Sequence, residues 1–195
     1  MNTRRHLLAL ALATFAVVAC SDKPPESGGG AFSGIDITGA DYATGFSLTD
    51  HNGQSRTLAD FKGKAVVIFF GYTQCPDVCP TTLSTLAEAM KQLGPDADRV
   101  QGVFVTVDPE RDTAELLKQY VPAFDPRFVG LRGDAAQTEA VAKEFRIIFQ
   151  KVPGRTPETY TVDHSAGIFL FDPAGRLRVY EGHGQPPDVL AHDLR

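Results

Sequence analysis

The chain has 195 residues, 43% of them hydrophobic, which is enough for one well-packed domain and short for two. Its formal charge is −5, from 19 Lys and Arg against 24 Asp and Glu. An acidic chain without a basic stripe argues against nucleic-acid binding, because phosphate contacts need clustered Lys and Arg.

At the N-terminus Arg4 and Arg5 precede an apolar run of 13 residues, Leu7 to Ala19, that ends at Cys20. A basic start and a short apolar run fit a secretory signal, and the run is too short to span a bilayer comfortably. The ending VVAC resembles the bacterial lipobox, in which the cysteine becomes the lipidated first residue of the mature chain. Residues 1–19 therefore read as a lipoprotein-type signal peptide and Cys20 as the lipidation site. The segment TRRHLL also faintly resembles a twin-arginine export signal. Three cysteines cannot all pair within one chain, and lipidation gives the odd one its own fate. Loss of Arg4 and Arg5 leaves 17 basic against 24 acidic side chains, a charge of −7. The expected location is outside the cytoplasm at a membrane surface, where disulfides persist. The next stretch, SDKPPESGGG, has no apolar residue and reads as a flexible tether, so residues 20–31 form anchor and tether and residues 32–195 the folded domain.

Within the domain, FSLTD, a turn at Asn52-Gly53 and SRTLADF predict an N-terminal β-hairpin extension. The run Lys64 to Phe70, KAVVIFF, predicts a strand buried on both faces. Pro80 suits the first turn of a helix, Leu83, Leu86, Met90 and Leu93 recur at helical spacing, and Gly94 closes the segment. Strands follow at Gly102 to Val107 and Phe128 to Gly133, and helices at Asp112 to Val121 and Ala135 to Phe145. IIFQKV reads as a further strand, GIFLF and RLRVYEG as a hairpin around DPAG, and PPDVLAHDLR as a last helix. This alternation predicts an α/β fold with a central mixed sheet flanked by helices.

Chemistry concentrates between the KAVVIFF strand and its helix, in QCPDVCP, where Cys75 and Cys79 lie four residues apart. Ligand sites in open α/β sheets collect beyond the carboxyl ends of strands, and a helix N-terminus favours thiolate. Three readings remain open. A structural disulfide would close a loop of a few residues and stabilise little. A thiol–disulfide couple fits the helix N-terminus, although three residues separate the cysteines where two are usual. A metal site needs a third ligand. Of the five histidines, His6 lies in the signal, His51 in a polar turn, His183 after the hairpin and His192 on the last helix. His164 differs, since TVDHSAGIFLF places it in a loop directly before a buried strand.

The segments GKAVVIFFGYTQCPDVCPTTL, VTVDPERDT and VDHSAGIFLFDPAGRL together resemble the Sco/SenC family, over nearly the whole domain. The resemblance implies a thioredoxin-like fold and a membrane-tethered copper protein that assists assembly of cytochrome c oxidase. It implies copper held by Cys75, Cys79 and His164, with Cys75 and Cys79 also a redox-active pair. Two thiolates and one imidazole suit Cu(I), and Cu(II) with added donors. Asp77, Asp108 and Asp163 fall in or beside the same motifs and read as tuning or structural residues, Asp163 by orienting the His164 ring. Gln74 stands where relatives often have histidine, and Ala166 where thioredoxins have a cis-proline. The implied partners are cytochrome c oxidase subunit II, an upstream copper donor and a thiol–disulfide reductant. The implied location is the periplasmic face of the inner membrane. The competing reading is a membrane-anchored thiol–disulfide reductase that keeps copper-site cysteines reduced. A peroxiredoxin-like peroxidase is disfavoured, because the cysteine loop lacks that family's Pro-x-x-x-Thr-x-x-Cys pattern.

Overall fold

The structure is a computed structural model that describes residues 31–156 and 159–195. The expected signal peptide, Cys20 and nearly all of the tether lie outside the described residues. In chain order the strands and helices are β1 (Ile35–Asp36), β2 (Ser47–Asp50), β3 (Ser55–Thr57), β4 (Ala65–Gly71), α1 (Val78–Leu93), β5 (Val100–Thr106) and α2 (Ala114–Tyr120). They continue with β6 (Val129–Arg132), α3 (Ala135–Glu144), β7 (Phe149–Val152), β8 (Thr161–His164), β9 (Ile168–Phe171), β10 (Leu177–Glu181) and α4 (Pro187–Asp193).

The β-branched and aromatic run of β4 forms the middle of an eight-stranded sheet ordered β1-β10-β9-β4-β5-β6-β2-β3. β4, β5 and β6 run parallel, while β9 pairs with β4 antiparallel, so the sheet is mixed as expected. Side chains alternate along β4. Phe69 packs towards Phe104 on one face, and Phe70 meets Phe145 and Phe169 on the other. The unit β4-α1-β5 followed by β9-β10-α4, in sheet order β5-β4-β9-β10, is a thioredoxin-like core. β2 and β3 extend it beyond β6 as the expected N-terminal hairpin, and β1 closes the opposite edge on β10.

Local signals explain the element ends. Asp134 and Gln137 exchange side-chain and backbone hydrogen bonds as a capping box at the start of α3. Thr113 Oγ1 accepts from the Leu116 N–H at the start of α2. α1 buries Leu83, Leu86, Met90 and Leu93 and stops at Gly94, whose φ of 58° favours glycine. Two elements differ from expectation. Ile35–Asp36 forms a two-residue edge strand, and His164 is the last residue of β8, not a loop residue. β8 pairs antiparallel with β7 in a separate two-stranded sheet, with His164 opposite Phe149.

Candidate metal centre

β4 ends at Gly71, and the absence of a side chain there is required. A Cβ would lie 2.8 Å from Cys79 Sγ and 2.9 Å from the Phe104 ring. The chain then turns through Tyr72, Thr73 and Gln74 to Cys75 and enters α1, in which Cys79 is the second residue. Cys79 is fully buried and Cys75 half-buried. The backbone N–H of Cys79, one of the free donors at a helix start, points at Cys75 Sγ at 3.4 Å. The Cys75 sulfur therefore occupies the position of an anion at the N-terminus of α1.

The third group arrives from the β7–β8 hairpin. His164 Nδ1 lies 3.0 Å from the carbonyl oxygen of Ser165. A carbonyl only accepts, so Nδ1 carries the proton and the Nε2 lone pair is left facing Cys79 Sγ at 3.3 Å. Tyr72 and Phe69 present their rings edge-on to the imidazole and fix its plane. The ligating atoms of Cys75, Cys79 and His164 all lie within 4.8 Å of one another. Bonds of about 2.3 Å to sulfur and about 2.0 Å to nitrogen span such a set with small adjustment.

Burial pushes the Cys79 thiol well above its ordinary range, with the neighbouring Cys75 adding to the rise. At Cys79 desolvation thus opposes the thiolate-favouring effect expected of the helix start, and a backbone hydrogen bond from Tyr72 acts against the rise. Burial moves His164 in the opposite sense, downward, which keeps the imidazole neutral with its lone pair free. A neutral imidazole beside two thiols suits a soft cation, whose charge stabilises the thiolates on binding.

The family model described as SCO1/SenC matches residues 36–195, which contain all three groups. The chain belongs to the SCO1/SenC family. It is 40% identical over 152 residues to the mitochondrial SCO2 homolog of Mus musculus, covering 77% of this chain and 60% of that one. The match spans 54–60% of the length of the mitochondrial SCO2 homologs of mouse, cattle, human and zebrafish. Among solved structures, Bradyrhizobium japonicum ScoI with copper bound is 45% identical with a TM-score of 0.71, covering 77% of this chain and 95% of the other. Apo Sco1 from Thermus thermophilus is 38% identical with a TM-score of 0.75, covering 84% and 95%.

Around the SCO1/SenC cysteine–histidine group, the other sequence candidates fall in distinct places. Asp77 and Asp163 are exposed and line the open cleft beside Cys75, His164 and Ala166. Asp163 does not orient the histidine, since the acceptor of His164 Nδ1 is the Ser165 carbonyl; neighbouring residues of a strand point to opposite faces. Asp77 stands at the N-cap of α1, yet its side chain accepts from Thr81 Oγ1 rather than from the helix backbone. Asp108 is fully buried beyond the end of β5, where it accepts from Tyr160 Oη and Arg111 Nε. Among the histidines, only His164 among the described residues joins the cysteines. His51 is buried and accepts the Gly130 N–H through Nδ1, not exposed in a turn as the sequence suggests. His183 is exposed, and His192 Nδ1 lies against Asp193 Oδ1.

Several residues that hold the site were not singled out from the sequence. Asp112 is fully buried and accepts from Thr73 Oγ1 at 2.6 Å, Thr73 N at 3.1 Å and Thr106 Oγ1 at 2.6 Å, tying the cysteine loop to the end of β5. Burial raises the Asp112 carboxyl from its ordinary range, and the threonine hydrogen bonds oppose that rise. The signal available for it was the second aspartate of VTVDPERDT, in the same motif as Asp108.

Proposed function

We propose that this chain is a membrane-anchored copper chaperone that helps assemble the CuA site of cytochrome c oxidase. The observation that carries the reading is the convergence of two cysteine sulfurs and a neutral imidazole nitrogen within 4.8 Å. That donor set matches copper in ligand softness, and a relative 45% identical is a ScoI structure with copper bound. The three-ligand site leaves one side open to the cleft lined by Tyr72, Pro76 and Val78, through which an incoming thiolate or imidazole can reach the metal. Copper then passes by ligand exchange to the paired cysteines of oxidase subunit II. Oxidation of the Cys75–Cys79 dithiol by a disulfide partner forms one S–S bond and gives up two electrons and two protons. It removes both thiolates and switches copper binding off. The anchor rests on the sequence alone, from the basic apolar leader ending at Cys20 and the polar stretch after it. It would hold the domain at the periplasmic face of the inner membrane.

The reductase reading draws on the same pair, free cysteines at a helix start in a thioredoxin-like core. A transfer assay separates the two. Copper-loaded chain is mixed with a metal-free, reduced CuA domain of subunit II, and the purple CuA absorption is followed. The chaperone reading expects that absorption to appear with the dithiol remaining reduced. No transfer to the reduced domain, together with reduction of the oxidised domain's disulfide, supports the reductase instead. Mass analysis of the membrane form should show an acylated Cys20, and an unmodified soluble chain contradicts the anchor.

A further inference from the structure

The three ligand groups come from two limbs of the fold, the cysteine loop with α1 and the β7–β8 hairpin, and the hairpin is not part of the main sheet. The distance from the thiolates to His164 therefore depends on what joins the limbs. Arg111, in the turn after β5, touches both. Its Nη1 donates to the carbonyl oxygen of Tyr160 at 2.8 Å, immediately before β8, and to Gln74 Oε1 at 3.2 Å, immediately before Cys75. The guanidinium stacks on the Tyr160 ring at 3.6 Å and lies 5.6 Å from the Tyr72 ring, which packs edge-on to His164. The fully buried Asp108 carboxylate holds it in place through Nε, and the same carboxylate accepts from Tyr160 Oη at 2.8 Å.

Two details show that Arg111 is the main tie between the limbs. Among the described residues Arg111 Nη2 has no hydrogen-bond partner, so the guanidinium is held by Nε, by Nη1 and by its stacking on Tyr160. The nearby Lys151–Glu110 pair also links hairpin to turn, yet both side chains are largely exposed, so it contributes little rigidity.

We propose that Arg111 is a positioning residue for the metal centre: by joining Gln74 of the cysteine loop to Tyr160 of the hairpin, it sets whether copper is held by three ligands or by two. Resting on the copper-binding reading, this makes Arg111 act through His164. Its planar fork matters, since Nε holds Asp108 while Nη1 bridges the two limbs, and the single nitrogen of a lysine does not serve all three acceptors in that geometry.

The test compares full-length wild type, Arg111→Met, Arg111→Lys, Gln74→Ala and His164→Ala, each reduced and titrated with copper. Paramagnetic resonance of the Cu(II) form reports imidazole-nitrogen coupling, and the dithiol reduction potential is measured on the metal-free chain. Arg111→Met is expected to lose the nitrogen coupling and about 10- to 100-fold in copper affinity, the usual range for groups that orient a metal ligand. Its dithiol potential should stay at the wild-type value. Arg111→Lys should not rescue it, and adding Arg111→Met to His164→Ala should cost nothing further. Gln74→Ala, which removes one link at an exposed position, should shift the same signature less and serves if Arg111→Met does not fold. Wild-type coupling and affinity in Arg111→Met, or in both Gln74→Ala and Arg111→Lys, overturns the role of Arg111 while weak binding by His164→Ala keeps the copper site. Wild-type binding by His164→Ala overturns the copper site itself, and the role of Arg111 with it.

Discussion

Cys79 is buried at the second position of α1, and Gly71 is the residue that makes room for it. Adding a methyl group at Gly71 forces Cys79 Sγ or the Phe104 ring to move in a core without slack. Gly71→Ala is expected to lower stability by about 1–3 kcal/mol, as overpacking does, and to weaken copper binding. Denaturant titration and copper titration of the same sample check both effects. This glycine was not legible in the sequence, because FFGYTQC reads as a strand running into a loop with or without a crowded neighbour. The two cysteines and His164 were legible, because soft donors are few and each sits beside a strand signal. The orientation of the imidazole was not. A nearby carboxylate at Asp163 suggested a partner, whereas the strand geometry of β8 turns that side chain away and leaves the Ser165 carbonyl as acceptor.

At the scale of elements, buried strands and amphipathic helices were readable because their periodicity repeats over many residues, as in β4 and α1. β1 and β8 were not, because two and four residues carry too little pattern, and their pairing depends on partners far along the chain. The β2–β3 hairpin was readable from its turn. Asp50 Oδ1 accepts from Asn52 N and Gln54 N, Oδ2 accepts from Arg56 Nε, and Gly53 takes a φ of 82°. Asp50→Ala strips three donors of their acceptor and should cost about 1–3 kcal/mol, measured by thermal or denaturant unfolding. Copper affinity should stay unchanged, because Asp50 touches none of the three ligands. Asp112→Asn should act differently. An amide cannot accept equally from Thr73 N, Thr73 Oγ1 and Thr106 Oγ1, so both stability and copper affinity should fall.

On the scale of the whole molecule, the two ends of the domain are clasped beside a buried acid. Asp193 at the end of α4 accepts from the backbone N–H groups of Ser33 and Gly34, next to Glu181 of β10. Glu181 is fully buried, and burial, with a side-chain hydrogen bond to Asp193 and the charge of that group, pushes it up to about 8. The folded chain thus holds a proton that the unfolded chain releases above the ordinary value of 4.5. Stability should fall as pH rises from that value towards about 8, where Glu181 ionises beside Asp193. Glu181→Gln should flatten this slope and raise the unfolding temperature more at pH 8 than at pH 5. An equal pH slope in both proteins contradicts the assignment. Beyond the carboxyl end of β4 the same fold gathers Cys75, Cys79 and His164 into one three-ligand group. The most direct measurement of that claim is a copper titration of the reduced full chain, comparing wild type with Cys75→Ser, Cys79→Ser and His164→Ala. The expected result is one copper per chain in wild type, at least tenfold weaker binding in every variant, and imidazole coupling lost only with His164. Binding by wild type no tighter than by His164→Ala, with a model disulfide still reduced, contradicts the three-ligand copper site.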